Sequence, residues 1–336
     1  MDVDPELADL IEAFPTRRVD WAAATPFDVP RIREVIAAAA RSASPPPVAS
    51  GRTVQDVEAD VPGAGRVRVR VHRPEDPRGP VPAPGLVWIH GGGFILGSAL
   101  APDARVERWV VELGLVVVSV DYRLAPEYPY PAPLEDCAVA WEWACRHAAE
   151  LGVDPVRLGV GGGSAGAGLA AALSLRLRDR GPAVPAFQLL HYPMLDHRTG
   201  HGVSAEDPIW PAAANQLGWA CYLGKDGTAA EVPAYASPAL ADDLSRLPPT
   251  GIFVGGADLF CQEDLAFATR LVEAGVPVDL GVYAGAPHGF DGFAQTDVAK
   301  RCRRDMTDFL RRVTRQASPT RNAGSGEPGF RSEQTP

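Results

Sequence analysis

Short apolar segments alternate with longer segments through most of the chain. Six continuous apolar runs predict strands that are buried on both faces, because such strands have no polar side. Segments between most of them, such as 134–151 and 166–181, are predicted to be helices. Strands that alternate with helices predict an α/β fold, in which a mostly parallel sheet carries helices on both faces. The six runs are 85–90, 115–122, 157–162, 186–193, 250–256 and 278–285.

The N-terminal part and one later segment follow different patterns. Apolar residues recur at roughly helical spacing over 4–14 and 28–41, before a loop with three consecutive prolines. Residues 53–62 and 65–74 then alternate apolar and polar side chains, which is typical of half-exposed antiparallel strands. Residues 197–240 are rich in Pro, Trp and small residues and too long for a simple connection. We interpret them as an inserted cap that pairs with the N-terminal helices.

Composition narrows the class of partner. Hydrophobic residues make up 46% of the 336 residues and charged residues 22%, as in ordinary globular proteins. The formal net charge of −10 argues against nucleic acid or an anionic membrane as the main partner. The five cysteines form no C-x-x-C pair, which favours free thiols in a reducing compartment over disulfides or zinc. With no signal-peptide pattern at the N-terminus, we expect a cytoplasmic protein.

The segment VGGGSAGAGL at 160–169 supports two incompatible hypotheses. Its glycines spell G-x-G-x-x-G, the pattern of a dinucleotide-binding turn. The same residues contain G-x-S-x-G centred on Ser164, the turn that presents a nucleophilic serine. A dinucleotide site also needs an acidic residue about 20 positions further on for the ribose. The nearest acid at the end of the next strand, Asp196, lies beyond that spacing.

The nucleophile hypothesis makes further demands, and the chain meets each of them in the expected order. A serine hydroxyl needs a histidine base, and that histidine needs an acid to orient it. Asp258 and then His288 each follow a predicted strand downstream of Ser164. Upstream, HGGGF at 90–94 follows another strand, and its glycines let backbone N–H groups point toward a developing oxyanion. Because parallel sheets gather their sites at the carboxyl ends of strands, the serine hypothesis is favoured.

Several motifs resemble the hormone-sensitive-lipase branch of the α/β-hydrolases. They are HGGGF at 90–94, DYRLAPEYPYPAPLED at 121–136, GGSAGAGLA at 162–170, PPTGIFVGGADLFCQED at 248–264 and HGF at 288–290.

The resemblance covers roughly residues 60–312 and implies an α/β-hydrolase fold with a helical cap. It also implies a serine esterase that acts on short-to-medium acyl esters and needs no cofactor or metal. Its partner would be a small-molecule ester, and the protein would be a monomer or a homodimer. The chain is then predicted to consist of an N-terminal helical cap segment (1–45), a catalytic domain (46–196 and 241–317) and an inserted cap segment (197–240). Residues 318–336 are rich in Gly, Ser and Pro and almost free of apolar residues, which predicts a disordered tail.

Six residues carry the predicted chemistry. Ser164 attacks the ester carbonyl, His288 takes and returns the proton, and Asp258 holds the imidazole in the useful tautomer. The predicted oxyanion hole consists of the N–H groups of Gly92, Gly93 and Ala165.

Other assignments stay open at the level of sequence. Glu263 or Asp264 are alternatives to Asp258, although they would lie one turn into the following helix. The aromatic residues Phe94, Trp210, Trp219 and Tyr222 either line the substrate pocket or form packing core.

The elbow departs from the family's usual G-D-S-A-G-G-N, because Gly163 stands for the aspartate and Ala167-Gly168 for Gly-Asn. Amide or lactone hydrolysis, deacylation of a secondary metabolite, and non-catalytic small-molecule binding are the alternative functions on this scaffold.

Overall fold

An eight-stranded sheet organises the computed structural model, which describes residues 3–42, 50–76, 82–99, 103–181, 184–201, 207–224 and 232–316. The strands in chain order are β1 (Arg52–Val61), β2 (Gly65–Pro74), β3 (Ala83–Ile89), β4 (Val116–Asp121), β5 (Val153–Gly163), β6 (Gln188–His191), β7 (Thr250–Gly255) and β8 (Val278–Tyr283).

The spatial order of the strands is β1-β2-β4-β3-β5-β6-β7-β8. β1 and β2 form an antiparallel hairpin, and β2 also pairs antiparallel with β4. All pairs from β4 through β8 are parallel. The mostly parallel sheet predicted from the apolar runs is therefore confirmed, as is the antiparallel start.

Nine α-helices lie in the described residues. They are α1 (Ala8–Glu12), α2 (Val29–Ser42), α3 (Ala104–Leu113), α4 (Ala132–Arg146), α5 (Ala148–Leu151), α6 (Ala165–Arg180), α7 (Ala212–Leu223), α8 (Cys261–Glu273) and α9 (Asp297–Gln316). Short 3-10 helices occupy Pro5–Leu7, Pro15–Arg18, Pro26–Asp28, Pro238–Leu240 and Phe290–Gly292.

The sheet separates two hydrophobic cores. Val87 and Ile89 of β3 face a core shared with α4, α6 and α8, whereas Leu86 and Trp88 of the same strand face a core shared with α3 and α9. Successive side chains of a strand point to opposite faces, so a strand covered on both sides must be apolar throughout. This is why the central strands are continuous apolar runs.

One of the six apolar runs is not buried on both faces, and that part of the prediction is wrong. β8 is the last strand of the sheet, and Leu280 and Val282 are 44% and 45% exposed. The run 278–285 resembles the central ones in sequence, but its position at the sheet edge leaves it only one neighbouring strand. β7, which has a strand on each side, has all of its residues buried.

The N-terminal helices differ from the prediction in length. The helix expected over 4–14 is divided, because Pro5 and Pro15 each begin a 3-10 turn beside α1. The helix expected over 28–41 corresponds to α2. The predicted segment boundaries remain a prediction, and both the triple-proline loop and the tail at 318–336 lie outside the described residues.

Candidate active site

Ser164 occupies the turn between β5 and α6. Its backbone has φ 56° and ψ −124°, a conformation that a non-glycine residue rarely adopts. A Cβ at Gly162 would lie 2.3 Å from the carbonyl carbon of Gly166, and one at Gly166 would lie 2.2 Å from the carbonyl oxygen of Ile89. Glycine at both positions lets strand and helix approach closely enough to form this sharp turn.

The structure brings the three side chains of the predicted relay together. The Oγ of Ser164 lies 2.9 Å from Nε2 of His288, and Nδ1 of His288 lies 2.8 Å from Oδ2 of Asp258. Asp258 follows β7, His288 follows β8 and Ser164 follows β5, so all three lie at the carboxyl edge of the sheet. All three residues are buried. The arrangement can pass a proton from the serine hydroxyl to the imidazole.

Charge around His288 favours its protonated form. Burial alone would lower the pKa of His288, but the Asp258 carboxylate, through its charge and its hydrogen bond, raises that pKa above the ordinary value. Asp207 and Asp291 add to the same effect. Asp258 is itself held in place, since its Oδ1 accepts a hydrogen bond from the N–H of Phe260 at 2.9 Å.

The loop after β3 contains two of the predicted oxyanion donors. Gly92 has φ 121° and Gly93 φ 58°, and a Cβ on Gly92 would lie 2.3 Å from the carbonyl oxygen of Leu96. Ala165, the third predicted donor, is buried as the first residue of α6. Within the described residues, the N–H groups of Gly92, Gly93 and Ala165 are not seen to donate to another backbone group.

His90 fixes the start of this loop. Its Nδ1 lies 2.8 Å from the carbonyl oxygen of Gly91, and its ring stacks on Tyr122 at 4.2 Å between ring centroids. The imidazole therefore holds the glycine-rich backbone against β4 and its neighbours.

The four predicted aromatic residues are all buried, and they divide into two groups. Trp210 packs against Gly93, where an added Cβ would lie 2.3 Å from the indole, and its ring centroid is 6.5 Å from that of His288. Phe94 stacks on Tyr222 at 4.0 Å and lies 5.1 Å from Trp219. Trp210 therefore lies beside the loop after β3 on the side of His288, while Phe94, Trp219 and Tyr222 join that loop to α7.

The alternative acids, Glu263 and Asp264, do not contact His288 among the described residues. Glu263 accepts the N–H of Leu195 at 2.7 Å and pairs with the hydroxyl of Thr199. Burial raises the pKa of Glu263 to about 8 and that of Asp264 well above its ordinary value. Both lie in α8, and Asp258 alone of the three is bonded to the imidazole.

Asp207 is a buried residue of the site that the motifs do not indicate. Its carboxylate accepts the N–H groups of Ile209 at 2.8 Å, Trp210 at 2.9 Å and His288 at 2.7 Å. Burial, together with the charge of Asp258, raises the pKa of Asp207 to about 6. In sequence, Asp207-Pro208 is typical of an ordinary turn. No other pattern in the segment indicates a contact with the loop that carries His288.

A second group missed by the motifs lies behind the elbow. The hydroxyl of Tyr192 donates to Oδ1 of Asp291 at 2.7 Å, and Arg105 contacts the same hydroxyl at 3.1 Å. The ring of Tyr192 lies 4.5 Å from that of His288. A Cβ at Gly163 would lie 3.5 Å from the Arg105 guanidinium. An arginine therefore borders the position at which the usual elbow motif has an aspartate.

Two features are absent from the described residues. There, no group of three or more His, Cys, Asp or Glu side chains is arranged to hold a metal ion. No helix in the same ranges combines the length and apolar character needed to cross a membrane.

Comparisons with known proteins agree on one family. A family model described as an alpha/beta hydrolase fold matches residues 86–292. Esterase LipI of Mycobacterium tuberculosis is 32% identical over 295 residues, covering 87% of this chain and 89% of that protein. Carboxylesterase NlhH of the same species is 35% identical over 298 residues, covering 87% and 90%. Among solved structures, Bacterial Heroin Esterase has a TM-score of 0.83 and 36% identity, covering 93% of this chain and 98% of that chain.

Proposed function

Because the chain belongs to the α/β-hydrolase fold family and is a carboxylic-ester hydrolase, we propose that Ser164, His288 and Asp258 perform the hydrolysis through an acyl-enzyme intermediate. The proposal is carried by one observation, the continuous relay of 2.9 Å and 2.8 Å contacts from hydroxyl to imidazole to carboxylate. We further propose that the substrates are small-molecule esters with short-to-medium acyl chains.

Acylation begins when Oγ of Ser164 attacks the ester carbonyl carbon. The hydroxyl proton passes to Nε2 of His288, and Asp258 stabilises the resulting imidazolium. The carbonyl oxygen becomes an oxyanion that accepts hydrogen bonds from the N–H groups of Gly92, Gly93 and Ala165, and each donor lowers the barrier by about 3 kcal/mol. The bond to the alcohol oxygen then breaks, and His288 gives its proton to the departing alcohol.

Deacylation repeats these steps with water. His288 removes a proton from a water molecule that attacks the acyl carbon of the ester on Ser164. The second oxyanion uses the same three N–H donors. When it collapses, the bond to Oγ breaks, the proton returns from His288 to Ser164, and the carboxylic acid leaves.

Two aspects of the setting are also proposals. We propose a cytoplasmic location, supported by five cysteines that all carry free thiols. We propose that the buried rings of Phe94, Trp210 and Trp219 border the acyl or alcohol pocket. For Trp210 the support is its contact with Gly93 and its distance from His288. For the other two it is the place of Phe94 next to Gly93 in the chain and its 5.1 Å ring distance from Trp219.

Steady-state hydrolysis of p-nitrophenyl acetate, butyrate and longer esters tests the proposal, with Ser164→Ala measured in parallel. We expect the wild-type protein to cleave the acetate and butyrate with the highest kcat/KM, and the variant to be inactive on all of them. Equal activity of the two proteins on every ester would overturn the assignment of Ser164.

A further inference from the structure

We propose that Asp207 is a positioning residue for His288. Its side chain would join the segment that begins at Asp207 to the loop that carries His288. This inference rests on the proposed function, since it assigns a task to a carboxylate that acts through the base of the triad.

The Asp207 carboxylate is buried and accepts three hydrogen bonds from backbone N–H groups. Oδ2 accepts the backbone N–H of His288 at 2.7 Å, across a sequence separation of 81 residues. Oδ1 accepts the N–H groups of Ile209 at 2.8 Å and Trp210 at 2.9 Å. Asp207 is only 2% exposed. Three N–H donors on one buried carboxylate form charge-assisted hydrogen bonds, which are stronger and shorter than neutral ones.

The same carboxylate also determines where Trp210 lies. The indole packs against Gly93 of the oxyanion loop, and its ring is 5.4 Å from that of Trp21 in the N-terminal segment. The carbonyl oxygen of Ile209 accepts the hydroxyl of Thr16 at 2.7 Å, which attaches this turn to the N-terminal segment as well. Asp207 thus fixes the position of the loop that carries His288 relative to Trp210, which packs against Gly93.

The charge of Asp207 acts on His288 together with a small set of neighbours. Burial and Asp258 raise the pKa of Asp207 to about 6, so the carboxylate is ionised at neutral pH. Its negative charge favours the imidazolium that forms during catalysis. The titratable and charged groups that face His288 or Asp207 from the packed elements are Asp258, Asp291, Tyr192, His191, Arg105, Arg17 and Asp20.

Asp207→Asn removes the charge while keeping the size of the side chain and one acceptor oxygen. We expect kcat for p-nitrophenyl butyrate to fall about 10- to 100-fold with KM changed less than about threefold. We also expect the acid limb of kcat/KM, which reports the pKa of His288 in the free enzyme, to move to lower pH by about half a unit to one unit. A merely structural role would lower activity without moving that limb.

Asp196→Asn is the matched control, because the Asp196 carboxylate binds Arg198 and does not contact His288. Its kcat and acid limb should equal those of the wild type. Asp207→Glu retains the charge and should keep the acid limb at the wild-type pH even if kcat falls. If Asp207→Asn does not fold, Asp207→Ser supplies the uncharged variant, and its thermal unfolding is recorded alongside.

The results separate this inference from the proposed function. If an uncharged variant at 207 keeps the wild-type acid limb while the wild type is active and Ser164→Ala is inactive, the proposal for Asp207 is overturned and the triad assignment stands. If Ser164→Ala retains wild-type activity, the triad assignment fails and the proposal for Asp207 fails with it.

Discussion

Two regions of the molecule contact His288, and they do so by different means. At the carboxyl edge of the sheet, Asp258 binds the imidazole ring and the ring binds Ser164, so the bonds run between side chains. In a second region, which we call the cap face and define by Asp207 and Trp210, backbone N–H groups donate hydrogen bonds to a carboxylate. By our proposal the carboxyl edge holds the reacting side chains, whereas the cap face holds the backbone of the loop that carries His288.

This difference predicts that substitutions at the carboxyl edge abolish turnover and that those at the cap face reduce it. A side chain that exchanges a proton has no substitute within reach once it is removed. When a side chain that positions a backbone segment is replaced, neighbouring contacts keep that segment partly in position, so some activity remains. The predictions below test that ranking.

Ser164→Ala should have the largest effect, a fall in kcat/KM of at least about 10⁴-fold, because it removes the proposed nucleophile. Hydrolysis of p-nitrophenyl butyrate measures it. Ser174→Ala is the control, since Ser174 is a fully buried serine of α6, the helix that Ser164 precedes, and lies outside the relay. Comparable losses in the two variants would contradict the special role of Ser164.

Gly93→Ala should lower kcat about 10²-fold, because it disturbs a proposed oxyanion donor and its new methyl group would clash with Trp210 of the cap face. The new Cβ would lie 2.3 Å from the Trp210 indole, at a backbone φ of 58°. Adding Trp210→Ala should recover about tenfold of the loss if contact with the indole is the main cause. Steady-state kcat of the single and double variants decides this.

Gly114→Ala separates backbone strain from contact. Gly114 has φ 68° and nothing within 4 Å of an added Cβ, so this variant has similar strain with no clash. It should keep kcat within about twofold of the wild type. If it lost as much activity as Gly93→Ala, contact with the cap face would not explain the effect.

Uncharged substitution of Asp207 comes next in size, with the 10- to 100-fold loss and the shifted acid limb described above. It is the sharpest test of the comparison, because it removes the charge of the cap face without changing any side chain of the relay.

Glu263→Gln should have the smallest effect on turnover, with kcat within about twofold, because Glu263 contacts the backbone at 195–196 and not the relay. Its consequence is for stability. Burial raises the pKa of Glu263 from 4.5 to about 8, so the folded protein binds this proton more tightly than the unfolded chain. The associated stabilisation is fully present below pH 4.5 and is lost as the pH rises to about 8.

Denaturant unfolding at pH 5 and pH 9 measures this effect. The wild type should lose on the order of 2–4 kcal/mol more free energy of unfolding between the two pH values than Glu263→Gln does. Glu273→Gln, at an exposed position of the same helix, is the control and should follow the wild type. Parallel pH dependence in the wild type and Glu263→Gln would contradict a protonated Glu263.

The sequence predicts more of the residues at the carboxyl edge than of those at the cap face. Ser164, Asp258 and His288 belong to residue types that the proposed chemistry requires, and each lies in the segment that follows a strand predicted from an apolar run. Asp207 has backbone groups as partners, and any residue can supply an N–H, so no pattern of residue types marks such a contact. Its link to His288 exists only because the fold brings distant segments together.

Two further features lie beyond sequence for related reasons. Leu280 is exposed because β8 is the last strand of the sheet. The residues of an apolar run do not indicate the position of the strand in the sheet. The contact of Arg105 with Tyr192 joins the start of α3 to the end of β6, and each residue on its own is an ordinary polar side chain.

Mass spectrometry after treatment with diethyl p-nitrophenyl phosphate tests the central claim most directly, because this reagent phosphorylates a serine that a neighbouring histidine activates. We predict one diethylphosphoryl group on Ser164 of the wild type, loss of esterase activity in step with labelling, and no label on Ser164→Ala. Full inactivation with the label on another residue, or a fully labelled Ser164 with activity retained, would contradict the account.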